Sequence, residues 1–191
     1  MQFSTLEISG VIIAIATLCL DIQENVWARP LSIIGATMAI FVYYPAGLYA
    51  TCMRKCAYIV LDTYGWYKWM YGGANNTPLP VSRTSAREML ILALSGLLVT
   101  GIVGKLLVLY TEPSLPYLDS LHMTFAVIAQ GMIVNKKLES WMLWLSLNVM
   151  FIFMCYYKGL YLFSALHVFY IFLAVRGHRA WYRSYQASKA A

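Results

Sequence analysis

Seven apolar stretches, each close to the length of one bilayer crossing, set the limits on what this chain can fold into. They run over 6–23, 30–50, 52–71, 89–110, 117–134, 141–157 and 160–175. A transmembrane helix needs about 20 such residues to span ~30 Å of hydrocarbon. The longest polar interval, 72–88, is rich in Gly, Asn, Pro, Ser and Arg and reads as a loop. No stretch is polar enough for a soluble domain. Only 12% of the residues are charged and 61% are hydrophobic, against about 25% charge in a soluble domain. The net charge of +6 does not point to nucleic acid, because the basic residues lie between apolar runs. The fold class predicted is an all-α integral membrane protein of seven transmembrane helices, with the lipid bilayer as its solvent.

The first apolar stretch has no basic n-region and no A-x-A-like cleavage site, so it is expected to be a retained span. Lys and Arg placement gives the orientation. With the N-terminus outside, ten cations fall on the cytoplasmic side: Arg29, Lys68, Arg83, Arg87, Lys136, Lys137, Arg176, Arg179, Arg183 and Lys189. Four fall outside, Arg54, Lys55, Lys105 and Lys158. N-out and C-in follows. Cys19, Cys52, Cys56 and Cys155 lie in or beside apolar runs and make no CxxC pair, so they read as small hydrophobes, with no disulfide framework.

The chain also repeats itself. Shifted by 112 residues, 38–69 falls on 150–181 with 12 identities in 32 ungapped positions. Among them Gly47, Leu48 and Tyr49 meet Gly159, Leu160 and Tyr161, and Gly65 and Trp69 meet Gly177 and Trp181. Spans two and three thus map onto six and seven, and span four becomes a connector. The predicted organisation is one transmembrane domain. Its first three-helix repeat is 6–71, its linker helix 89–110 and its second repeat 117–181. An odd repeat plus one linker leaves both copies in the same orientation, related by an axis along the membrane normal. A substrate site between the halves is the natural consequence.

Several residues could make that site. Trp141, Trp144 and Asn148 stand at i, i+3 and i+7 and share a helix face. Two indoles offer π-faces to a planar or cationic ligand, and an amide one turn deeper supplies donors and acceptors. The same pattern suits an interfacial Trp belt with a helix–helix amide bond. Gln130 is a deep amide that either reads hydroxyls or ties helices. Asp62 is an ionisable group within a span, a functional candidate that requires a partner in the bundle interior. Lys55 lies two turns earlier on the same face, about 10 Å away along the axis, within reach of a bridged contact. Tyr44 is part of the repeated segment. Asp119 reads as a helix-start cap, and Glu139 as a surface partner of Lys136 or Lys137. His122, His167 and His178 are scattered, with no metal-ligand spacing. No P-loop, HExxH or GxSxG is present. No enzyme activity, metal or cofactor is predicted.

YYPAGLYA, YGWYKW, AQGMIVNKKLESWMLW with the Asn148 that follows, and KGLYL resemble the PnuC-type vitamin transporters, from about Glu24 to Trp181. The resemblance implies a SWEET-like 3+1+3 arrangement of two three-helix bundles around a linker, assembled as a homotrimer in the cell's inner membrane. It implies import of a vitamin precursor, nicotinamide riboside, by facilitated diffusion, with a cytoplasmic kinase trapping the substrate by phosphorylation. Trp141, Trp144 and Asn148 match the family's substrate-pocket motif. The chain departs from riboside carriers at Gly35, where they commonly have Asn, and at Pro45 and Lys55, where they often have Gln. Losing amides that answer ribose hydroxyls leaves thiamine as the alternative substrate. A SWEET-like sugar carrier sharing only the fold is a weaker reading.

Overall fold

The computed structural model describes residues 5–45, 49–110, 115–157 and 161–190. Gly47 and Gly159, singled out above in the repeat, lie outside the described residues, as does Lys158. Among the described residues the regular elements are helices, joined by loops, with one isolated backbone bridge and no strand. In chain order the helices are α1 (Thr5–Ile22), α2 (Ala28–Tyr43), α3 (Tyr49–Tyr71), α4 (Ala86–Tyr110), α5 (Pro116–Val134), α6 (Ser140–Tyr157) and α7 (Tyr161–Ala190). They follow the apolar stretches to within a few residues, apart from α2, which ends at Tyr43 where the stretch ran to 50, and α7. That helix continues past Val175 through a basic segment, and Gly177 stays inside it, packed against the Trp141 ring instead of ending the helix.

Six helices close into a ring. α1 packs on α2, α2 on α3, α3 on α5, α5 on α6, α6 on α7, and α7 returns to α1. α4 stands outside the ring and touches α5 alone. Its buried residues are Gly96, Thr100 and Gly104, one per helical turn, the small-residue stripe that lets two transmembrane helices approach closely. A Cβ at Gly96 would sit 2.8 Å from Phe125, and one at Gly104 2.5 Å from Tyr117. Ser120 does not cap α5. Its hydroxyl is buried and donates to the Thr100 carbonyl at 2.8 Å, tying α5 to α4.

The helices meet lipid in two ways. α4, α5 and α6 are long and apolar enough to cross a bilayer by composition alone. α3 and α7 have the length, 23 and 30 residues, but carry more polar groups: Asp62 of α3 is buried inside the ring, whereas Arg176, Arg179 and Arg183 of α7 are exposed. The exterior of α4 is a run of exposed Leu and Ile, including Leu90, Leu94, Leu98 and Ile102. That is the surface expected where the solvent is hydrocarbon.

At one end of the ring α1, α3 and α5 finish, and α2, α4 and α6 begin. This is the end that the charge rule assigns to the cytoplasm, and it is called the inner end here. Exposed Trp27 and Trp66 lie there with ring centroids 6.4 Å apart, an interfacial aromatic pair. The polar interval before α4 ends in a capping box. Ser85 Oγ accepts from the Glu88 N–H at 3.2 Å, and the Glu88 carboxylate accepts from the Ser85 N–H at 2.8 Å.

The inner-end ion pairs differ from those the sequence suggested. Glu139 does not pair with Lys136 or Lys137. It accepts from Arg83 at 2.9 Å and from the Thr84 N–H at 2.7 Å. Lys136 instead reaches Glu24 at 2.8 Å, and Lys137 lies 3.4 Å from Glu88. Ser82 and Lys137 form a short parallel backbone bridge, which brings the loop's Arg83 within reach of Glu139 and leaves Lys136 turned to α1.

Candidate functional site

Asp62, in the middle of α3, is fully buried and is the centre of a charged network. Its partner is not Lys55 but Arg29, which the charge count had placed in a loop. Arg29 is itself fully buried, begins α2, and forms ion pairs with both Asp62 and Asp21. Ser32 donates to the second Asp62 oxygen at 2.7 Å, and Gln130 of α5 donates to the first at 2.8 Å. The guanidinium carbon also lies 4.7 Å from the Trp69 ring centroid. One carboxylate thus links α1, α2, α3 and α5 across the ring. Gln130 is therefore engaged as helix glue. The fork of Arg, with five donors, suits two carboxylates where a Lys point charge would not.

Next to this network lies a tryptophan core. Trp141 is 1% exposed and Trp181 is fully buried, edge-to-face with centroids 5.4 Å apart. Trp69 meets Trp181 at 6.0 Å. Gly177 makes room for them, since a Cβ there would lie 2.5 Å from the Trp141 ring. The Trp69 N–H donates to the Val134 carbonyl at the end of α5, and the Trp181 N–H to the Asp21 carbonyl near the end of α1. Each indole thus stitches the last turn of a neighbouring helix, satisfying carbonyls that a helix end leaves open.

Toward the outer end the interior changes character. Trp144 is half-buried and packs against both Trp141's cluster and that of Tyr58, Ala126, Ala129 and Leu147. Asn148, one turn on, donates to the Trp144 carbonyl at 2.8 Å and has its side-chain oxygen 2.7 Å from His167 Nδ1. His122 of α5 and His167 of α7, far apart in sequence, both lie against Phe151 of α6 at a tilt, with centroids at 4.8 and 4.3 Å. Tyr170 closes on His167 at 5.3 Å. Lys55 lies over Tyr58, 5.5 Å from its centroid. Among the described residues no group of His, Cys, Asp or Glu could hold a metal.

The structure therefore brings Trp144 and Asn148 to the ring interior, with Lys55 and Tyr58 contributed from α3. Asp62 and Gln130 lie deeper, bonded to one another. Trp141 is a core group on Trp181 and Gly177. Tyr44 stands apart at the end of α2, 62% exposed. Sequence reasoning missed Arg29, His122, His167 and Phe151. For Arg29 a signal existed: two carboxylates, Asp21 and Asp62, within or at the end of spans demand a cation. The histidines gave no signal before three helices were placed side by side.

A membrane-crossing ring whose exterior is apolar and whose interior is polar and aromatic belongs to the class of multi-pass membrane transporters. The chain is a member of the nicotinamide mononucleotide transporter family, whose model matches residues 4–183. Among its relatives, the nicotinamide riboside transporter PnuC of Escherichia coli K12 is 22% identical over 208 positions, covering 96% of this chain and 87% of that protein. The riboflavin/roseoflavin transporter RibM of Streptomyces davaonensis is 24% identical over 177 positions, covering 91% and 82%. A crystal structure of the vitamin B3 transporter PnuC shares the fold, with a TM-score of 0.73 at 18% identity over 93% of this chain and 80% of that one.

Proposed function

We propose that this protein imports a vitamin or vitamin precursor across the cell's inner membrane by facilitated diffusion, with nicotinamide riboside as the first candidate. The supporting observation is the closed six-helix ring with a polar, aromatic interior in a chain whose outer surface is apolar. A riboside entering from outside meets Phe151, His167, Trp144 and Asn148 before the Arg29–Asp62 network. Aromatic faces and one amide suit a planar ring with a polar substituent. As the family resemblance implies, uptake runs down a gradient, and phosphorylation by a cytoplasmic kinase keeps that gradient steep. The two parallel repeats, 6–71 and 117–181, rock about the ring axis, and a homotrimer places three such rings in one assembly. The bonds Trp69–Val134 and Trp181–Asp21 support that division, since the shift matches the two tryptophans and their acceptors fall one position apart in its register. Thiamine is the second candidate, favoured by Gly35, Pro45 and Lys55 standing where riboside carriers have amides. RibM, named for riboflavin, adds a third ring system to the test.

The test is uptake into proteoliposomes of labelled nicotinamide riboside, thiamine and riboflavin. The riboside is expected to enter to equilibrium without ATP or an ion gradient. Exclusion of all three would reject the vitamin reading.

A further inference from the structure

The outer half of the ring holds two cations with no carboxylate within 4.0 Å among the described residues. Arg54 and Lys55 are neighbours on α3, and both lie against one buried ring, that of Tyr58. The Arg54 guanidinium carbon is 6.0 Å and the Lys55 Nζ 5.5 Å from its centroid. Tyr58 packs on Ala126 and Ala129 of α5 and Leu147 of α6, so both charges are directed into the ring rather than at lipid.

The bland account is that two long side chains snorkel to the interface. Helical side chains lean toward their own N-terminus, which for α3 is the outer surface. These two share the helix face of Tyr58, three and four residues on, and that face is buried against α5 and α6. Deeper in, Asp21 and Asp62 share one Arg29, leaving one negative charge. Lys55, on the same helix as Asp62, offsets that charge at long range, and Arg54 remains in excess. Two like charges held on one ring in a poorly screened interior repel each other, and an anionic group between them relieves both. Phe151, flanked by His122 and His167, supplies an aromatic wall in the same half.

We infer that Arg54 and Lys55 form a station on the substrate path that reads an acidic group, so that the carried vitamin bears a carboxylate on or beside its planar ring. Within the riboside class, the pyridine carboxylate is then preferred to the carboxamide. This rests on the transport reading above.

Full-length protein in proteoliposomes tests it with nicotinamide riboside and its carboxylate analogue, which differ in one amide-for-acid exchange. The wild type is expected to favour the acid by about tenfold in kcat/KM, the size of one added charge contact. Arg54→Gln and Lys55→Gln each bring that ratio toward one, whereas Lys55→Arg keeps it and controls for folding. A ratio unchanged in both Gln variants overturns the inference. So does an uncharged or cationic vitamin outrunning the acid in the wild type, although uptake itself then sustains the transport reading. Exclusion of every vitamin sinks both together.

Discussion

The two ends of one helical ring are held by different kinds of contact. At the inner end Trp69, Trp141 and Trp181 interlock, two of them bonded to carbonyls of neighbouring helices. Arg29 pins α1, α2 and α3 together through two carboxylates. Glu24 and Lys136 join the turns after α1 and α5. Both adopt left-handed backbone conformations, φ 55° and 46°, which cost a non-glycine residue about 1 kcal/mol, and the shift of 112 residues superposes them. At the outer end the interior contacts are ring faces, His122 and His167 on Phe151, with one Asn148–His167 bond. Directional charged bonds fix positions closely, whereas rings in contact slide past one another. The difference teaches that this structure is locked at the inner end, and that an outer end built from faces is suited to admit a planar guest.

The sharpest way to break that contrast is to remove the inner cation. Arg29→Met leaves two buried carboxylates without a cation and is expected to cost about 3–5 kcal/mol, read as loss of the melting transition in detergent. Adding Asp21→Asn and Asp62→Asn should restore much of it. A smaller effect is expected at Gly177→Ala, where the new methyl meets the Trp141 ring at 2.5 Å. Overpacking there should cost about 1–3 kcal/mol. Gly131→Ala, which meets nothing within 4 Å, should be neutral or slightly stabilising by the same melting assay.

The smallest effect concerns pH. Partial burial acts to raise the Glu139 carboxyl, but the Thr84 N–H and Arg83 outweigh it and hold the group below its usual value. A depressed carboxyl contributes stability above its unfolded-state pKa and loses it as pH falls through the folded value. The inner-face loop should therefore loosen in acid, below the ordinary glutamate range, seen as faster amide exchange at Thr84. Glu139→Gln should remove that dependence.

Much of this architecture was legible beforehand because hydrocarbon permits few solutions. Five helices matched their apolar stretches to within a few residues, α2 stopped at Tyr43 short of its predicted end, and α7 ran on where charge replaced hydropathy, with Gly177 packed on Trp141 inside it. The pairing of charges was not legible. Asp62 advertised a need for a partner, yet Lys55, two turns away on the same helix, was the nearest by sequence. Arg29 reached it only because α2 packs beside α3. Glu139 likewise took Arg83 from a loop 56 residues earlier. Side chains brought together by packing leave no periodic trace, and for the same reason the His122–Phe151–His167 cluster stayed hidden.

The central claim is that the ring interior is the substrate's route. A Phe151→Cys variant in a background free of other cysteines, reconstituted and treated with a membrane-impermeant thiol reagent, tests it most directly. The account predicts labelling from the outer side that slows when the transported vitamin is added. A labelling rate indifferent to every vitamin that the protein carries would contradict it.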